Sequence, residues 1–175
     1  MKKLILTIFL ATISFANAQV IIGDAVGTAT VKTSVLLEFA AGQNKGIILP
    51  YVRVLPVAPT EGTILLDASN PNAARMKYYN GTWKDLSGQD ADVTAALADQ
   101  PISITETGKS IIGATTSTAD GVLVLESATK AMVLPTVSNV QDVPNPSPGM
   151  MVYINRLGGK RLAVFNGAKW SYWAP

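Results

Sequence analysis

An internal repeat is the feature that most constrains what this chain can fold into. Six short motifs of residues 20–87 recur in the same order in residues 110–173, at offsets that drift between 85 and 90 positions. The recurring pairs are Ile21–Gly23 with Ile111–Gly113, Leu37–Glu38 with Leu125–Glu126, Lys45–Pro50 with Lys130–Pro135, Gly62 with Gly149, Asn80–Gly81 with Asn166–Gly167, and Trp83 with Trp170. Because such a repeat marks a duplicated structural unit, the sequence predicts two tandem β-modules, residues 19–87 and 110–175, joined by a linker at residues 88–109.

The second part of each predicted module has the pattern of a three-stranded meander. The last two apolar runs of each module flank Asn80-Gly81 or Asn166-Gly167. Asn-Gly favours a two-residue type I′ hairpin turn, because both central residues of that turn need positive φ. The predicted strands are 63–67, 75–79 and 82–86 in the first module and 150–154, 161–165 and 168–173 in the second. Since frequent prolines between the earlier runs exclude long helices there, the predicted fold class is mainly β.

The linker differs in character from the two modules. Residues 90–99 predict one or two turns of helix with an acidic cap, ending before Pro101. Residues 102–105 alternate between apolar and polar side chains, which predicts a strand leading into the second module.

The N-terminus has the pattern of an export signal. Lys2 and Lys3 precede an apolar run over residues 4–15, and Ala16 and Ala18 supply the small residues of a cleavage site. A membrane-spanning helix needs about 20 apolar residues, so this shorter run favours a cleaved signal peptide, residues 1–18, over an anchor. We therefore expect an exported protein that begins at Gln19 and is extracellular or at the cell surface, with the periplasm as the alternative.

The composition excludes several kinds of chemistry. The chain has no His and no Cys, so a Ser-His-Asp triad, a Cys nucleophile, a disulfide and a zinc site built from His or Cys are all ruled out. The chain has 14 basic and 12 acidic residues, and removal of Lys2 and Lys3 would leave equal numbers. A basic surface for nucleic acid is therefore not expected.

The carboxylates suggest neither a metal site nor a catalytic pair. Asp90 and Asp92 lie two residues apart but lack the ligand series and terminal Glu of a calcium loop. The repeated acid, Glu38 in the first copy, is expected to form a surface ion pair with nearby Lys45, and Glu126 is expected to do so with Lys130. We predict no catalytic residue, no metal ligand and no cofactor, and hence no enzyme.

Aromatic residues gather near the end of each module and are the candidate ligand or interface residues. They are Tyr78, Trp83, Trp170, Tyr172 and Trp173. Exposed rings of this kind could stack on sugars, whereas buried rings would pack in the core or at a subunit interface. The recurrence of one Trp just after each Asn-Gly turn favours the structural interpretation.

The repeated motifs resemble those of a known group of proteins. The series Leu37-Glu38, Lys45–Pro50, Gly62–Leu65 and Tyr78–Trp83 is similar to a repeat of secreted proteins from Bacteroidetes-type bacteria, which are tail-fibre-like or adhesin-like. The arginine that follows the proline in that repeat is displaced to Arg53 in the first copy and replaced by Thr136 in the second. The resemblance implies a structural surface or fibre component and supplies no catalytic residue.

Taken with the resemblance, the sequence predicts an exported, non-enzymatic structural or adhesive protein that associates with copies of itself. Small modules without disulfides are marginal alone, and open meanders leave strand edges that need covering. Association between copies would meet this need, and packing of the two modules against each other within one chain is the alternative. The resemblance favours a homotrimer, with a glycan or cell-surface ligand as a further partner and no membrane span after signal removal. The alternative hypothesis is a small carbohydrate-binding module that uses exposed Trp and Tyr.

Overall fold

A computed structural model describes residues 19–23, 26–100 and 108–173. These residues form a mainly β structure, which confirms the predicted fold class. The strands are β1 (Val20–Ile22), β2 (Val35–Phe39), β3 (Ile47–Ile48), β4 (Tyr51–Val52), β5 (Ile64–Asp67), β6 (Arg75–Tyr79), β7 (Trp83–Asp85), β8 (Ser110–Ile112), β9 (Leu123–Leu125), β10 (Ala131–Met132), β11 (Thr136–Val137), β12 (Met150–Ile154), β13 (Arg161–Phe165) and β14 (Trp170–Trp173). Helix α1 spans Thr94–Ala98, and two short 3-10 turns span Pro71–Ala73 and Val140–Asp142.

Two sheets with the same strand order dominate the structure. One has the order β4-β5-β6-β7, and the other has the order β11-β12-β13-β14. In both sheets the first pair is parallel and the next two pairs are antiparallel. Their registers also correspond, since Leu66 lies opposite Met76 and Tyr153 lies opposite Leu162. Each half of the repeat therefore contains a three-stranded meander preceded by a short parallel strand.

Strands of one half also pair with strands of the other half. From the first half, β3 pairs antiparallel with β12, with Ile48 opposite Met150. From the second half, β10 pairs parallel with β2, with Met132 opposite Leu37. Strand β1 lies parallel on the other side of β2, and β8 and β9 form a separate parallel pair. The two halves are thus interlocked, and a division into separate modules stays a prediction.

The main core is shared between the two halves. Leu66 and Met76 of the first meander are fully buried, and Met151 and Val164 of the second meander belong to the same cluster. Val93 and Leu97, from the segment between the meanders, complete it. A second cluster covers the other face of the second sheet; it contains Val137, Val140, Val143, Met150, Val152, Ile154 and Ala163. Burial of apolar surface at about 25 cal/mol per Å² therefore stabilises the two meanders together.

The predicted helix in the linker is present as one turn, α1. The Asp92 carboxylate accepts a hydrogen bond from the Thr94 N–H at 2.9 Å, which satisfies one of the free donors at the start of the helix. Leu97 points into the shared core. Within the described residues, no helix has the length and apolar character needed to cross a membrane. The predicted strand at 102–105 and the predicted signal peptide at 1–18 lie outside the described residues.

The hairpin turns differ from the predicted type. Asn80 and Gly81 lie in a three-residue loop between β6 and β7, and Asn166 and Gly167 lie in a four-residue loop between β13 and β14. The glycines have positive φ of 70° and 115°, but neither asparagine does. The type I′ expectation is therefore wrong, because that turn needs positive φ at both central residues. At the second hairpin the Asn166 side chain organises the loop by accepting from the Ala168 and Lys169 N–H groups.

Candidate functional site

The repeated tryptophans form cross-strand aromatic pairs at the two hairpins. Trp83 lies opposite Tyr79 with ring centroids 5.3 Å apart and an interplanar angle of 62°. Trp170 lies opposite Phe165, also at 5.3 Å, with an angle of 45°. Aromatic pairs in these geometries add stability beyond the area they bury. Both tryptophans are half-buried, and they hold their hairpins together in the same way.

The other predicted aromatic residues do not converge on one surface. Tyr78 neighbours Tyr79 in β6, so its side chain points to the opposite face of the sheet from Trp83. In the second sheet, Tyr172 and Trp173 are neighbours in β14 and likewise point to opposite faces. Their exposed fractions are 47% and 61%. The structure therefore distributes the five predicted residues over two sheets and both faces, and their role in binding stays a prediction.

Tyr172 has a cationic neighbour. The Arg161 guanidinium carbon lies 4.7 Å from the centre of the Tyr172 ring, within the range of a cation–π contact. Trp173 lies opposite Leu162, which packs against the shared core. Strand β14 is the last strand of its sheet among the described residues, so these two rings lie on an edge strand.

The least expected polar feature is the burial of Glu38. This residue has no exposed surface, although it lies in the otherwise apolar strand β2. Its carboxylate accepts hydrogen bonds from Lys32 Nζ, Gln19 Nε2 and the Ala29 N–H, the last at 2.8 Å. The expected surface ion pair with Lys45 is therefore wrong, because the loop before β2 folds over Glu38 and brings Lys32 to it instead.

The surroundings of Glu38 shift its titration. Burial alone raises the pKa of this carboxyl, but the hydrogen bonds from Lys32, Ala29 and Gln19 and the Lys32 charge outweigh burial, so the pKa lies below its ordinary value. A buried carboxylate of this kind must be paired and hydrogen-bonded to be tolerated. With both oxygens engaged and no solvent contact, Glu38 anchors the loop. The sequence contains one signal of this role, a charged residue that recurs next to an apolar run in both halves.

Glu126, the repeat equivalent of Glu38, is held in a similar way. It is half-buried and accepts a hydrogen bond from Ser117 Oγ, a residue of the loop between β8 and β9. The expected partner Lys130 does not form an ion pair with it among the described residues. In both halves the repeated acid therefore fastens a loop to the strand that follows it.

Three further acidic residues form ion pairs with residues of the first sheet. Lys77 contacts Asp67 at 2.6 Å, and Arg75 contacts both Asp85, at 2.7 Å, and Asp90, at 2.6 Å. Burial raises the pKa of Asp67, but the hydrogen bonds from Lys77 and Ser69 lower the pKa by more than burial raises it. The pKa of Asp67 therefore lies below its ordinary value.

Asp90 and Asp92 thus have separate roles, one in an ion pair and one at the start of α1. In the part of the chain that the structure describes, no group of three or more Asp or Glu residues is arranged to hold a metal ion.

A pocket of about 440 Å³ lies between loop residues of the first half and strands β11 and β12 of the second half. Its polar lining comes from Thr28, Thr136, Tyr153 and Asn155. None of the five predicted aromatic residues lines it. This separation does not favour a sugar site in which those rings form the walls.

Apolar side chains are exposed at many positions of the described residues. They are Ile22, Val26, Val31, Ile48, Val54, Val57, Val122, Leu123, Leu157, Tyr172 and Trp173. Single exposed apolar residues are normal, but Val54, Val57 and Leu157 are at least 80% exposed. Exposed apolar residues mark a surface that meets other molecules only where they form a contiguous patch, so these positions do not by themselves identify one.

Comparison with known proteins gives one family. Residues 111–174 match the family model described as the phage tail like trimerisation region. The match begins within β8 and includes β9 to β14, so it contains the whole second meander. It supports the resemblance to tail-fibre-like proteins at this coarse level, whereas the bacterial repeat stays a prediction. No curated protein and no solved structure matches the chain.

Proposed function

We propose that this chain is an exported, non-enzymatic structural protein of a surface or fibre assembly and that it acts as a homotrimer. The observation that carries this proposal is the match of residues 111–174 to a phage tail-like trimerisation region. A fibre component of this kind works by holding copies of itself together, so its function is carried by interfaces rather than by a catalytic site.

The described structure has physical features that suit self-association. Large apolar side chains are exposed, including Val57 and Leu157, and their burial between copies would be favourable. The outer edge of β14 has no strand paired with it among the described residues. Natural proteins usually cover or pair such edges. The equal numbers of basic and acidic residues expected after signal removal would also remove long-range repulsion between copies.

The proposal includes export and an adhesive role at the cell surface. Residues 1–18 supply the signal pattern, and Gln19 would be the first residue of the exported protein. An adhesive role requires a surface that contacts a glycan or another cell-surface ligand. The alternative is a small carbohydrate-binding module. In that case the exposed rings of Tyr172 and Trp173 would stack on the sugar.

Light scattering on the purified protein at micromolar concentration tests the proposed assembly. The expected mass is that of three chains. A monomer mass would reject self-association, and a dimer mass would reject the trimer. Titration with a panel of soluble glycans, followed by tryptophan fluorescence, tests the alternative, because ring stacking on a sugar would change the emission of Trp173.

A further inference from the structure

We propose that the open edge of β5 receives the backbone of residues 132–134 from a second copy of the chain, and that this strand addition closes the trimer. The inference rests on the proposed self-association and names its interface. It follows from a comparison between the edge of β5 and the edge of β12, which is its equivalent in the second half of the repeat.

In the second half, the edge of β12 is fully paired. Its last residues, Tyr153 and Ile154, pair with β11. Its first residues, Met150 and Met151, pair with β3 from the first half of the chain. Two short strands, one after the other, therefore cover this edge.

In the first half, only the last part of the equivalent edge is paired. Leu66 and Asp67 of β5 pair with β4, as Tyr153 and Ile154 pair with β11. Among the described residues, no strand lies beside Ile64 on that edge. The Leu66 N–H donates to the Pro50 carbonyl at 2.9 Å. Because backbone groups alternate in direction along a strand, the N–H and C=O of Ile64 point to the same side as those of Leu66 and are open.

The glycines that begin the two edges show the same difference. The Gly149 carbonyl accepts from the Leu49 N–H at 3.0 Å, and a Cβ at Gly149 would lie 3.2 Å from the Leu49 oxygen. At Gly62, the repeat equivalent, a Cβ would meet nothing within 4 Å. The place that Leu49 fills beside Gly149 is therefore empty beside Gly62.

The repeat also identifies the strand that fits this place. The segment that covers β12 is part of Lys45–Pro50, whose repeat equivalent is Lys130–Pro135. Ile47, Ile48 and Leu49 therefore correspond to Met132, Val133 and Leu134. All three residues of the second series are apolar and half-buried.

The backbone groups of this segment that do not pair with β2 point to its other edge, where the Leu134 carbonyl accepts a hydrogen bond from Thr136 Oγ1 at 3.3 Å. The N–H groups of Ala131 and Val133 donate to the Ser34 and Leu37 carbonyls, each at 2.8 Å. The backbone groups of Met132 and Leu134 must then point away from β2. They correspond to Ile47 and Leu49, whose backbone faces β12. Strand β10 can therefore stay paired with β2 and offer its other edge to a second copy.

The equivalence fixes the register of the proposed pairing. Ile48 lies opposite Met150 and Ile47 lies opposite Met151, so Val133 would lie opposite Thr63 and Met132 opposite Ile64. As β3 begins its pairing at Ile47, the proposed pairing begins at Met132. Ala131 takes the place of Gly46, where a Cβ would come 2.8 Å from the Met151 carbonyl oxygen, so β10 must lie slightly farther from β5 at Ala131 than β3 lies from β12 at Gly46.

The contact is heterologous, because each copy offers β10 and receives at β5. Contacts of this type generate a closed ring when the rotation between copies closes. The match of residues 111–174 to a trimerisation region favours a closed ring of three over an open filament, and three identical strand additions would leave no β5 edge of this kind open. The assembly thus removes the edge that a single chain exposes.

Cysteine cross-linking tests the register, since the chain has no cysteine of its own. Val133 and Thr63 would be a non-hydrogen-bonded antiparallel pair, with Cα atoms about 4.5 Å apart, which is within the range of a disulfide. We expect the double variant T63C/V133C, purified reduced and then mildly oxidised, to run as a covalent trimer under denaturing, non-reducing conditions. Reduction should return it to a single chain.

The matched control is E61C/V133C, which moves one cysteine two residues back along the chain, into the turn before β5. It should give several-fold less covalent trimer. A second pair, I64C/M132C, serves if Val133→Cys weakens folding. A native trimer by light scattering without covalent trimer, or with equal yield from the control, overturns the inference and leaves the proposed function standing. A covalent monomer with an internal disulfide also overturns it. A monomer mass by light scattering overturns both.

Discussion

The Asn166 side-chain amide donates a hydrogen bond to the Gln89 carbonyl at 2.8 Å, although 77 residues separate the two in the chain. Asn166 has no exposed surface, and Gln89 is half-buried, so this bond is partly shielded from water. Its Oδ1 also accepts from the N–H groups of Ala168 and Lys169, at 3.1 Å and 3.0 Å. One side chain therefore shapes the second hairpin loop and ties it to the segment that follows β7.

The first prediction concerns this side chain. Asn166→Ala would leave the carbonyl of half-buried Gln89 without its partner and remove both loop hydrogen bonds. Loss of a buried polar partner costs about 1–3 kcal/mol, so we expect the free energy of unfolding in urea to fall by that amount. Asn80→Ala is the matched control, because Asn80 holds the same place in the first hairpin but is exposed; it should change stability by less than about 0.5 kcal/mol. Equal losses in the two variants would contradict the assignment.

The second prediction concerns the buried carboxylate of β2. Glu38→Gln removes the charge that Lys32 and the Ala29 N–H stabilise, and it places an amide donor beside donors. We expect a loss of about 1–3 kcal/mol in urea unfolding at pH 7, where the wild-type carboxyl is ionised. Glu61→Gln is the control, since Glu61 is exposed and should be nearly neutral. An unchanged midpoint in the Glu38 variant would show that the buried contacts contribute nothing net.

The third prediction is the pH dependence of that difference. The pKa of Glu38 is lower in the folded chain than its ordinary value of 4.5, so the unfolded chain binds this proton more readily. The stabilisation from Glu38 is then fully present above about pH 4.5 and is lost as the pH falls through the lower folded pKa. We expect the stability difference between wild type and Glu38→Gln to shrink in acid. A difference that stays constant from pH 7 to pH 3 would contradict the shift; Asp67 and Asp85 titrate in both proteins and cancel.

The fourth prediction concerns the close approach of Gly27 to Glu38. A Cβ at Gly27 would fall on the Glu38 carboxylate carbon and oxygens, so Gly27→Ala must displace a fully buried group. Overpacking of this kind costs about 1–3 kcal/mol, measured as a shift in the urea midpoint. At Gly108 an added Cβ meets nothing within 4 Å. Gly108→Ala should therefore be neutral or slightly stabilising, and a similar loss at both positions would refute the steric argument.

The meanders could be predicted from the sequence because their signals are local. Strands β6, β12 and β13 have the bounds that their apolar runs predicted, and β5 differs from its prediction by one residue. Alternation and turn residues act over a few positions, so a single pattern is enough to place a strand. The turn type was not predictable in this way, because the buried Asn166 side chain supplies loop bonds that depend on tertiary packing.

The pairings between the halves could not be predicted, because no local pattern fixes them. Strands β3 and β10 have two residues each, too few for an alternation signal. Their partners are set by where the whole chain folds back. Glu38 illustrates the same limit: Lys45 and Lys32 are both near in sequence, and only the path of the loop over β2 decides between them.

The last prediction separates a packing role of the tryptophans from an interface role. Trp170 is half-buried against Phe165 and packs on the second core cluster, so Trp170→Ala should lower the free energy of unfolding by about 2–3 kcal/mol. Trp173 is 61% exposed in the single chain, and Trp173→Ala should change the stability of a single chain by less than about 0.5 kcal/mol. If β14 lies at an interface between copies, the second variant should instead weaken assembly, seen as a lower light-scattering mass on dilution.

Trp173→Phe is its conservative control and should retain assembly. A large loss of stability in Trp173→Ala at concentrations where the protein is monomeric, or a neutral Trp170→Ala, would contradict these roles.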